Sequence, residues 1–305
     1  MKLPSQAQVI SGVVALVGPP NAGKSTLLNT LLGQKISIVT PKPQTTRNRI
    51  AGILNEQDSQ IVILDTPGLH KARTPLNQEM MRIAMATLVA VDVALFMIDV
   101  SLPRANKRAH QEAFYYREYG KKINCPAMLL LNKVDLIKRP EVLPIIEFYA
   151  SLYPFASIIP VSALHGEGTE TVITQLKPML PKGPRLFPED MPTDVSERFL
   201  VAEIIREKVF LLTGQEIPYA AAVSIESFQE DERRNRVEIH ATIYLERKSQ
   251  KGIVIGKGGS KLKSIGIAAR QDIEKLLGLK VSLQLWVKIK KNWTKDEHFI
   301  KELGW

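Results

Sequence analysis

The sequence predicts two domains: an α/β domain whose mostly parallel sheet carries helices on both faces, and a smaller α+β domain after it. The first follows from short apolar runs (Val13 to Val17, Ile61 to Leu64, Val93 to Ile98, Ala127 to Leu131, Ile158 to Val161) that alternate with amphipathic segments beginning near Lys24, Pro75, Asn106, Pro140 and Gly168. The second follows from a change of order after Pro192. A helix over Glu197 to Leu212 precedes two alternating strands, Ala220 to Gln229 and Arg236 to Arg247, then two helices and a strand over Lys280 to Lys290. Between the halves fall five prolines, at 178, 181, 184, 188 and 192, with no apolar periodicity. The expected division is 1–180, a linker over 181–195, and 196–305.

A 305-residue chain that is 45% hydrophobic and 24% charged can bury a core in each half. Its most apolar stretch, Thr87 to Val100, is broken by Asp92 and Asp99 and is too short for a bilayer core of ~30 Å. No signal pattern precedes Ser11, and Cys125 has no second cysteine to pair with, so a cytoplasmic protein with Cys125 in its core is expected. The five histidines lack ligand spacing. The net charge of +10 is unevenly placed: residues 247–295 hold 13 Lys and Arg against 2 acidic residues, a local +11, and the remainder sums to −1. That concentration points to a polyanionic partner for the C-terminal half.

Strand Val13 to Val17 runs into Gly18-Pro-Pro-Asn21-Ala22-Gly23-Lys24-Ser25-Thr26. Glycines let backbone N–H groups curl around phosphates, Lys24 reaches the β- and γ-phosphates, and Ser25 supplies a magnesium ligand. This is a P-loop. The next strand exits at Asp65-Thr66-Pro67-Gly68, which places Asp65 to hold Mg²⁺ and lets the Gly68 N–H approach a γ-phosphate. Base choice falls to Asn132-Lys133-Val134-Asp135. The Asp135 carboxylate can accept from N1–H and N2–H₂ of guanine, discrimination of a kind worth roughly 10⁴. Lys133 would cover the base, Asn132 would tie this loop to the P-loop, and Ser162-Ala163 would turn a backbone N–H to guanine O6. In this order, each at the carboxyl end of a strand, the motifs match a P-loop GTPase using GTP, GDP and Mg²⁺.

Pro43-Gln44-Thr45-Thr46-Arg47 looks like the first switch of such GTPases; by analogy with that pattern Thr46, with Thr45 as the alternative, would ligate Mg²⁺ beside Ser25 and Asp65 only when the γ-phosphate is present. Ile36 to Arg49 and Leu69 to Met80 are expected to order with GTP. Lys24, Thr46 and Gly68 are the expected catalytic set. Leu69 stands where Ras-like proteins carry the glutamine that orients the attacking water. Intrinsic hydrolysis should therefore be slow and wait on a partner's group or, as the resemblance to cation-stimulated GTPases with an apolar residue at this position implies, on a potassium ion held partly by Asn21. In the latter case the rates differ between sodium and potassium buffers.

In the basic block, Ile253-Val-Ile255-Gly256-Lys257-Gly258-Gly259-Ser-Lys261-Leu-Lys263 has the form of a KH signature, whose GXXG loop clamps about four nucleotides. Ile255, Gly256, Lys257, Gly258, Gly259, Lys261 and Lys263 are the RNA-binding candidates. The order of elements fits the type II KH arrangement. Trp286 reads as a core residue and Trp293 as the candidate to stack on a base, core packing being the commoner fate of either.

A P-loop GTPase with Gln-Thr-Thr-Arg in its first switch and a type II KH domain resembles the Era family of bacterial ribosome-assembly GTPases. The resemblance spans nearly the whole chain, through GPPNAGKSTLLN, LLGQKISI, DTPGLH, NKVD, FPEDMPTDVSERF, EIIREK and VIGKGGSKLKSIG. Pro19 and Ala22 depart from the commoner P-loop residues without touching the backbone contacts. The resemblance implies binding near the 3′ end of small-subunit ribosomal RNA, maturation of 16S rRNA and assembly of the 30S subunit. It also implies weak peripheral association with the inner membrane. A monomer is expected. An RNA-modifying enzyme fuelled by GTP is the alternative, though no further catalytic constellation stands in the sequence.

Overall fold

The computed structural model describes residues 8–69, 74–101, 123–214, 217–231 and 235–303. It divides into two compact units: Met1–Ser37 with Thr46–Lys71 and Met80–Asp194, and Ile38–Thr45 with Ala72–Glu79 and Val195–Trp305.

In the first unit the described elements are β1 (Val9–Val17), α1 (Lys24–Leu32), β2 (Ile50–Asn55), β3 (Ser59–Asp65), α2 (Pro75–Val89, of which the residues up to Glu79 count with the second unit), β4 (Val93–Asp99), β5 (Ala127–Asn132), α3 (Arg139–Ala150), β6 (Ser157–Val161), α4 (Thr169–Leu176) and β7 (Lys182–Gly183). The sheet order is β2-β3-β1-β4-β5-β6. From β3 to β6 every pairing is parallel, with Val14 beside Ile63 and Val93, and Phe96 beside Leu129. Strands β3 and β5 are buried along their whole length. Such strands need apolar side chains on both faces, which is why their sequences are continuous apolar runs. The parallel order brings the carboxyl ends of β1, β3, β5 and β6 to one rim of the sheet, where ligands of open α/β sheets bind. Cys125 is half-buried against the β4–β5 core.

Two strands have no clear signal in the sequence. β2 is antiparallel to β3 and follows directly on the first switch segment, so its short run merges with that loop. β7 is two residues long, pairs antiparallel with β1, and lies inside the proline-rich stretch expected as a linker. That stretch is fastened along its length. The buried Gln60 carboxamide accepts from the N–H groups of Leu186 (2.6 Å) and Phe187 (2.9 Å), and Thr193 Oγ1 donates to Ala51 O at 2.7 Å. The prolines cannot donate to a ladder, and neighbouring backbone groups and side chains supply the bonds instead. The helix expected near Asn106 lies outside the described residues.

The second unit contains α5 (Glu197–Leu212), α6 (Ile217–Ala220), β8 (Ala222–Asp231), β9 (Arg236–Leu245), α7 (Lys248–Ile255), α8 (Ser260–Leu277), β10 (Lys280–Ile289) and α9 (Glu297–Glu302). Ser196 caps α5 by accepting from Phe199 N. The three-stranded sheet runs β10-β9-β8, with β10 parallel and β8 antiparallel to the central strand. Val237, Ile239, Ala241, Ile243 and Leu245 of β9 pack with Ile204 and Ile205 of α5 and with Ile265, Ala269 and Ile273 of α8. The expected order of elements is present.

The two tryptophans exchange the places expected of them. Trp293 is 0% exposed and donates its indole N–H to Ala220 O at 2.8 Å, whereas Trp286 is 44% exposed. Strand phase explains Trp286: on β10 the buried positions are Val281 and Val287, so Trp286 takes the opposite face. Trp293 lies beyond the strand, where the chain folds back over the sheet. Trp293→Ala should cost about 3–5 kcal/mol in denaturant unfolding of this unit, and Trp286→Ala about 1 kcal/mol or less.

Candidate functional site

β1 ends at the P-loop, and the loop's first requirement is space. Gly23 caps α1 with φ 101°, and a Cβ there would lie 2.2 Å from Asn132 Nδ2, so only glycine fits. Asn21 also has positive φ, at 66°. Lys24 is buried, its ammonium donating to Gly18 O (3.1 Å) and Pro19 O (3.0 Å). Burial pushes its pKa down to about 8, against the opposing pull of Asp65. Thr26 occupies the first turn of α1, and Ala22 is buried beneath the loop.

Three hydroxyls and a carboxylate meet beside Lys24. Ser25 Oγ donates to Asp65 Oδ2 at 2.6 Å and lies 2.9 Å from Thr46 Oγ1. Ser37 Oγ, which no sequence motif marks, donates to the same Asp65 oxygen at 2.9 Å. Asp65 is fully buried; burial pushes its pKa up, while Lys24, Ser25, Ser37 and Thr46 act the other way. Its second oxygen, Oδ1, is buried with no hydrogen-bond partner. A buried carboxylate oxygen left bare is costly unless something supplies a charge. These hard oxygen donors fit a magnesium ion, which favours carboxylate, hydroxyl and water.

Gly68 lies against the P-loop, where a Cβ would come within 2.8 Å of Pro20 N. Leu69 donates its N–H to Gly18 O at 3.0 Å and is 1% exposed. Of the second switch segment, residues 70–73 lie outside those described.

Asn132 joins three loops: Nδ2 donates to Ala22 O at 2.7 Å, and Oδ1 accepts from Ala163 N at 2.9 Å. One expectation is corrected: of the Ser162-Ala163 pair expected to turn a backbone N–H to guanine O6, Ala163 N donates to Asn132 Oδ1 and Ser162 N donates to Glu167 O at 3.0 Å. Lys133, at φ 67°, pairs with Asp99 Oδ2 at 2.5 Å. Asp99 ends β4 and stands in the sequence only as an interruption of an apolar run; its place at the carboxyl end of a central strand is the available signal. Asp135 stands in the turn that follows, with His165 Nε2 3.9 Å away. Ser162 Oγ is buried without a hydrogen-bond partner.

In the second unit, α7 stops at Gly256 and α8 starts after Gly259; Gly256, Gly258 and Gly259 all have positive φ. Lys257, Lys261 and Lys263 are exposed around this turn, and Ile255 is half-buried at the end of α7. Gly259 and Lys263 line a groove of about 840 Å³ between α8 and β10. Its floor is apolar, with Leu262, Ile267, Leu283 and Leu285, and it carries Arg236, Arg270 and Lys280, none of which belongs to the GXXG signature. Arg270 stands seven residues from Lys263, a helical repeat that marks one face of α8. Arg236 has no such signal, because it reaches the groove through the sheet.

Ile38–Thr45, the central part of the expected first switch, belongs to this second unit. Val39 N donates to Glu207 Oε1 at 3.0 Å, Lys42 Nζ donates to the last carbonyls of α5 (Phe210 O and Thr213 O), and Arg206 Nη2 donates to Thr45 O at 2.5 Å. Arg206 is fully buried and also bonded to Glu203. A lysine on terminal carbonyls complements the helix dipole. The EIIREK run therefore carries buried charges that a purely apolar packing face would lack.

Residues 13–133 match the family described as 50S ribosome-binding GTPase, and residues 216–294 match the KH domain family. GTPase Era of Syntrophus aciditrophicus (strain SB) is 48% identical over 295 residues, covering 97% of this chain and 95% of the relative. GTPase Era of Geobacter metallireducens (strain ATCC 53774 / DSM 7210 / GS-15) is 49% identical, covering 97% of each. Among solved structures, a point variant of Aquifex aeolicus Era bound to GDP.AlF4- has a TM-score of 0.92 at 40% identity, covering 97% of this chain and 99% of that one. Era in complex with MgGDPNP and nucleotides 1506–1542 of 16S ribosomal RNA aligns equally well, with the same score, identity and coverage. With a P-loop, a guanine-type loop and a KH groove in one chain, and relatives this similar over its whole length, the chain belongs to the Era family of GTPases.

Proposed function

We propose that this chain is a slow GTP-driven switch that holds small-subunit ribosomal RNA, near its 3′ end, in the groove of its second unit and so assists 16S maturation and 30S assembly. The observation that carries the reading is the buried Ser25–Asp65–Thr46 cluster beside Lys24. Support for the partners comes from the solved relative that holds MgGDPNP and nucleotides 1506–1542 of 16S ribosomal RNA. Magnesium, held by Ser25, Thr46 and Asp65, would supply positive charge at the phosphates. Lys24 would exchange two loop carbonyls for phosphate oxygens. Asp135 would select guanine, and with the Ala163 N–H committed to Asn132, the backbone of the exposed Leu164 is the nearer candidate for O6. Leu69, apolar and buried, cannot orient water, so turnover would wait on a partner's group or on potassium near Asn21.

The switch would be carried along the backbone itself. Thr46 Oγ1 sits on Ser25, and the residue before it, Thr45, is held by Arg206 in the unit that carries the groove. By linkage, if GTP tightens RNA binding then RNA tightens GTP binding by the same factor. Equal RNA affinities with a GTP analogue and with GDP would end the switch reading.

Three measurements probe the assignments. Because the pKa of Lys24 is pushed down to about 8 and a polyanion beside it favours the ammonium, nucleotide binding should take up a proton above that pH. GTP affinity should fall about three-fold between about pH 7.5 and 8.5, measured by calorimetry in buffers of different ionisation heat; a flat profile speaks against phosphate contact by Lys24. Asp135→Asn should weaken GTP and admit xanthosine triphosphate, and an unchanged base preference would displace the guanine loop. Gly258→Asp should lower RNA affinity at least ten-fold and leave RNA-free GTP hydrolysis intact. Gly258 has φ 59°, a left-handed conformation that strains any side chain but aspartate less than most, and nothing stands within 4 Å of its Cβ position, so a carboxylate opposes phosphate without a clash.

A further inference from the structure

β10 is the edge strand of the second sheet, and its pleat sends alternate side chains to opposite sides. Val281, Leu283 and Leu285 turn toward α8 and line the groove. Gln284, Trp286 and Lys288 lie on the other face, where the register sets Gln284 beside His240, Trp286 beside Thr242 and Lys288 beside Tyr244. Trp286 meets the His240 ring edge to face at 5.2 Å, and Glu238 Oε1 lies 3.0 Å from His240 Nε2, fixing that ring.

The far end of this face is closed. Tyr244 packs on Phe299 of α9 at 5.0 Å, Phe299 on the buried Trp293 at 6.2 Å, and Lys290 Nζ lies 3.6 Å from the Phe299 ring centre. The tail that buries one indole leaves the other in solvent.

We propose that this open half-face is a second nucleobase-binding surface, on which an RNA strand leaving the groove crosses the edge of β10 and stacks a base on Trp286. His240 walls the stacked base, and Gln284 and Lys288 offer it a hydrogen bond and a charge. The proposal rests on the groove reading. Three observations favour RNA as the occupant. One strand lines the groove from Lys280 to Leu285 and carries Trp286 just beyond on its other face, so the two surfaces are continuous across an edge that pairs with no other strand among the described residues. Lys280 and Lys288 on that same strand are exposed cations. Trp286 is the only exposed large hydrophobic residue on β8, β9 and β10 among the described residues. A lone flat ring among polar groups suits a base, whereas a protein interface needs an apolar area of many residues. Aromatic residues on an open sheet face are an established means of stacking RNA bases in other modules.

The test uses the full chain with two single-stranded RNAs, a tetranucleotide that fills the groove alone and a twelve-nucleotide RNA that contains it. Trp286→Ala should weaken the longer RNA about ten-fold and the tetranucleotide less than about two-fold, while Trp286→Phe keeps most of the affinity. The longer RNA should quench tryptophan fluorescence in the wild-type chain and lose most of that quenching in Trp286→Phe. Unchanged affinity for the longer RNA in Trp286→Ala would overturn the proposal, as would equal weakening of both RNAs, which would mark Trp286 as a structural support. Failure of the groove itself shows separately, as tetranucleotide binding that survives Gly258→Asp.

Discussion

Asp65 is the constraint on which the rest of the nucleotide unit depends. A carboxylate with no exposure to solvent is tolerated only where its neighbours supply hydrogen bonds and charge. Here Ser25 and Ser37 donate to one oxygen and Lys24 supplies an opposing charge, while the other oxygen stays bare. Those neighbours arrive from two places: Lys24 and Ser25 from the P-loop where it starts α1, and Ser37 from the entry to the first switch segment. Satisfying Asp65 thus fixes two segments relative to the end of β3. The incomplete shell leaves one buried oxygen without a hydrogen-bond partner.

Asn132 plays the corresponding part for the base loops. Its carboxamide has one donor and one acceptor side, and both are spent on backbone groups of other loops, Ala22 and Ala163. The closeness of Gly23 to Asn132 Nδ2 follows from the same crowding, since a side chain at 23 would break the joint. Parallel pairing makes this possible, because it delivers the ends of β1, β5 and β6 to one rim.

The second unit divides its labour by strand phase. Leu283 and Leu285 of β10 build the floor of a groove on one side while Trp286 stands on the other, and the C-terminal tail decides how much of that second surface remains open. Along α5, apolar residues face the core while Glu203, Arg206 and Glu207 are buried toward Ile38–Thr45. Buried charges of this kind are costly when unpaired, so the segment and the helix order each other.

The division into two units, the P-loop, the Asn132–Asp135 loop at the exit of β5 and the GXXG turn are legible in the residues alone. Each is written in contiguous residues whose local geometry demands particular types: glycine for positive φ, lysine for phosphate, aspartate at a strand exit. The strands with continuous apolar runs are legible too, because two-sided burial leaves that imprint. Only the tertiary structure decided what depends on separate segments meeting. Ser37 on Asp65, Asp99 on Lys133, Arg236 in the groove, and the commitment of the Ala163 N–H to Asn132 have no local signature, since nothing in the spacing of those residues encodes the pairing. The exchange of roles between Trp286 and Trp293 has the same cause: composition makes both indoles equally eligible for the core, and strand phase together with the fold-back of the tail chooses between them.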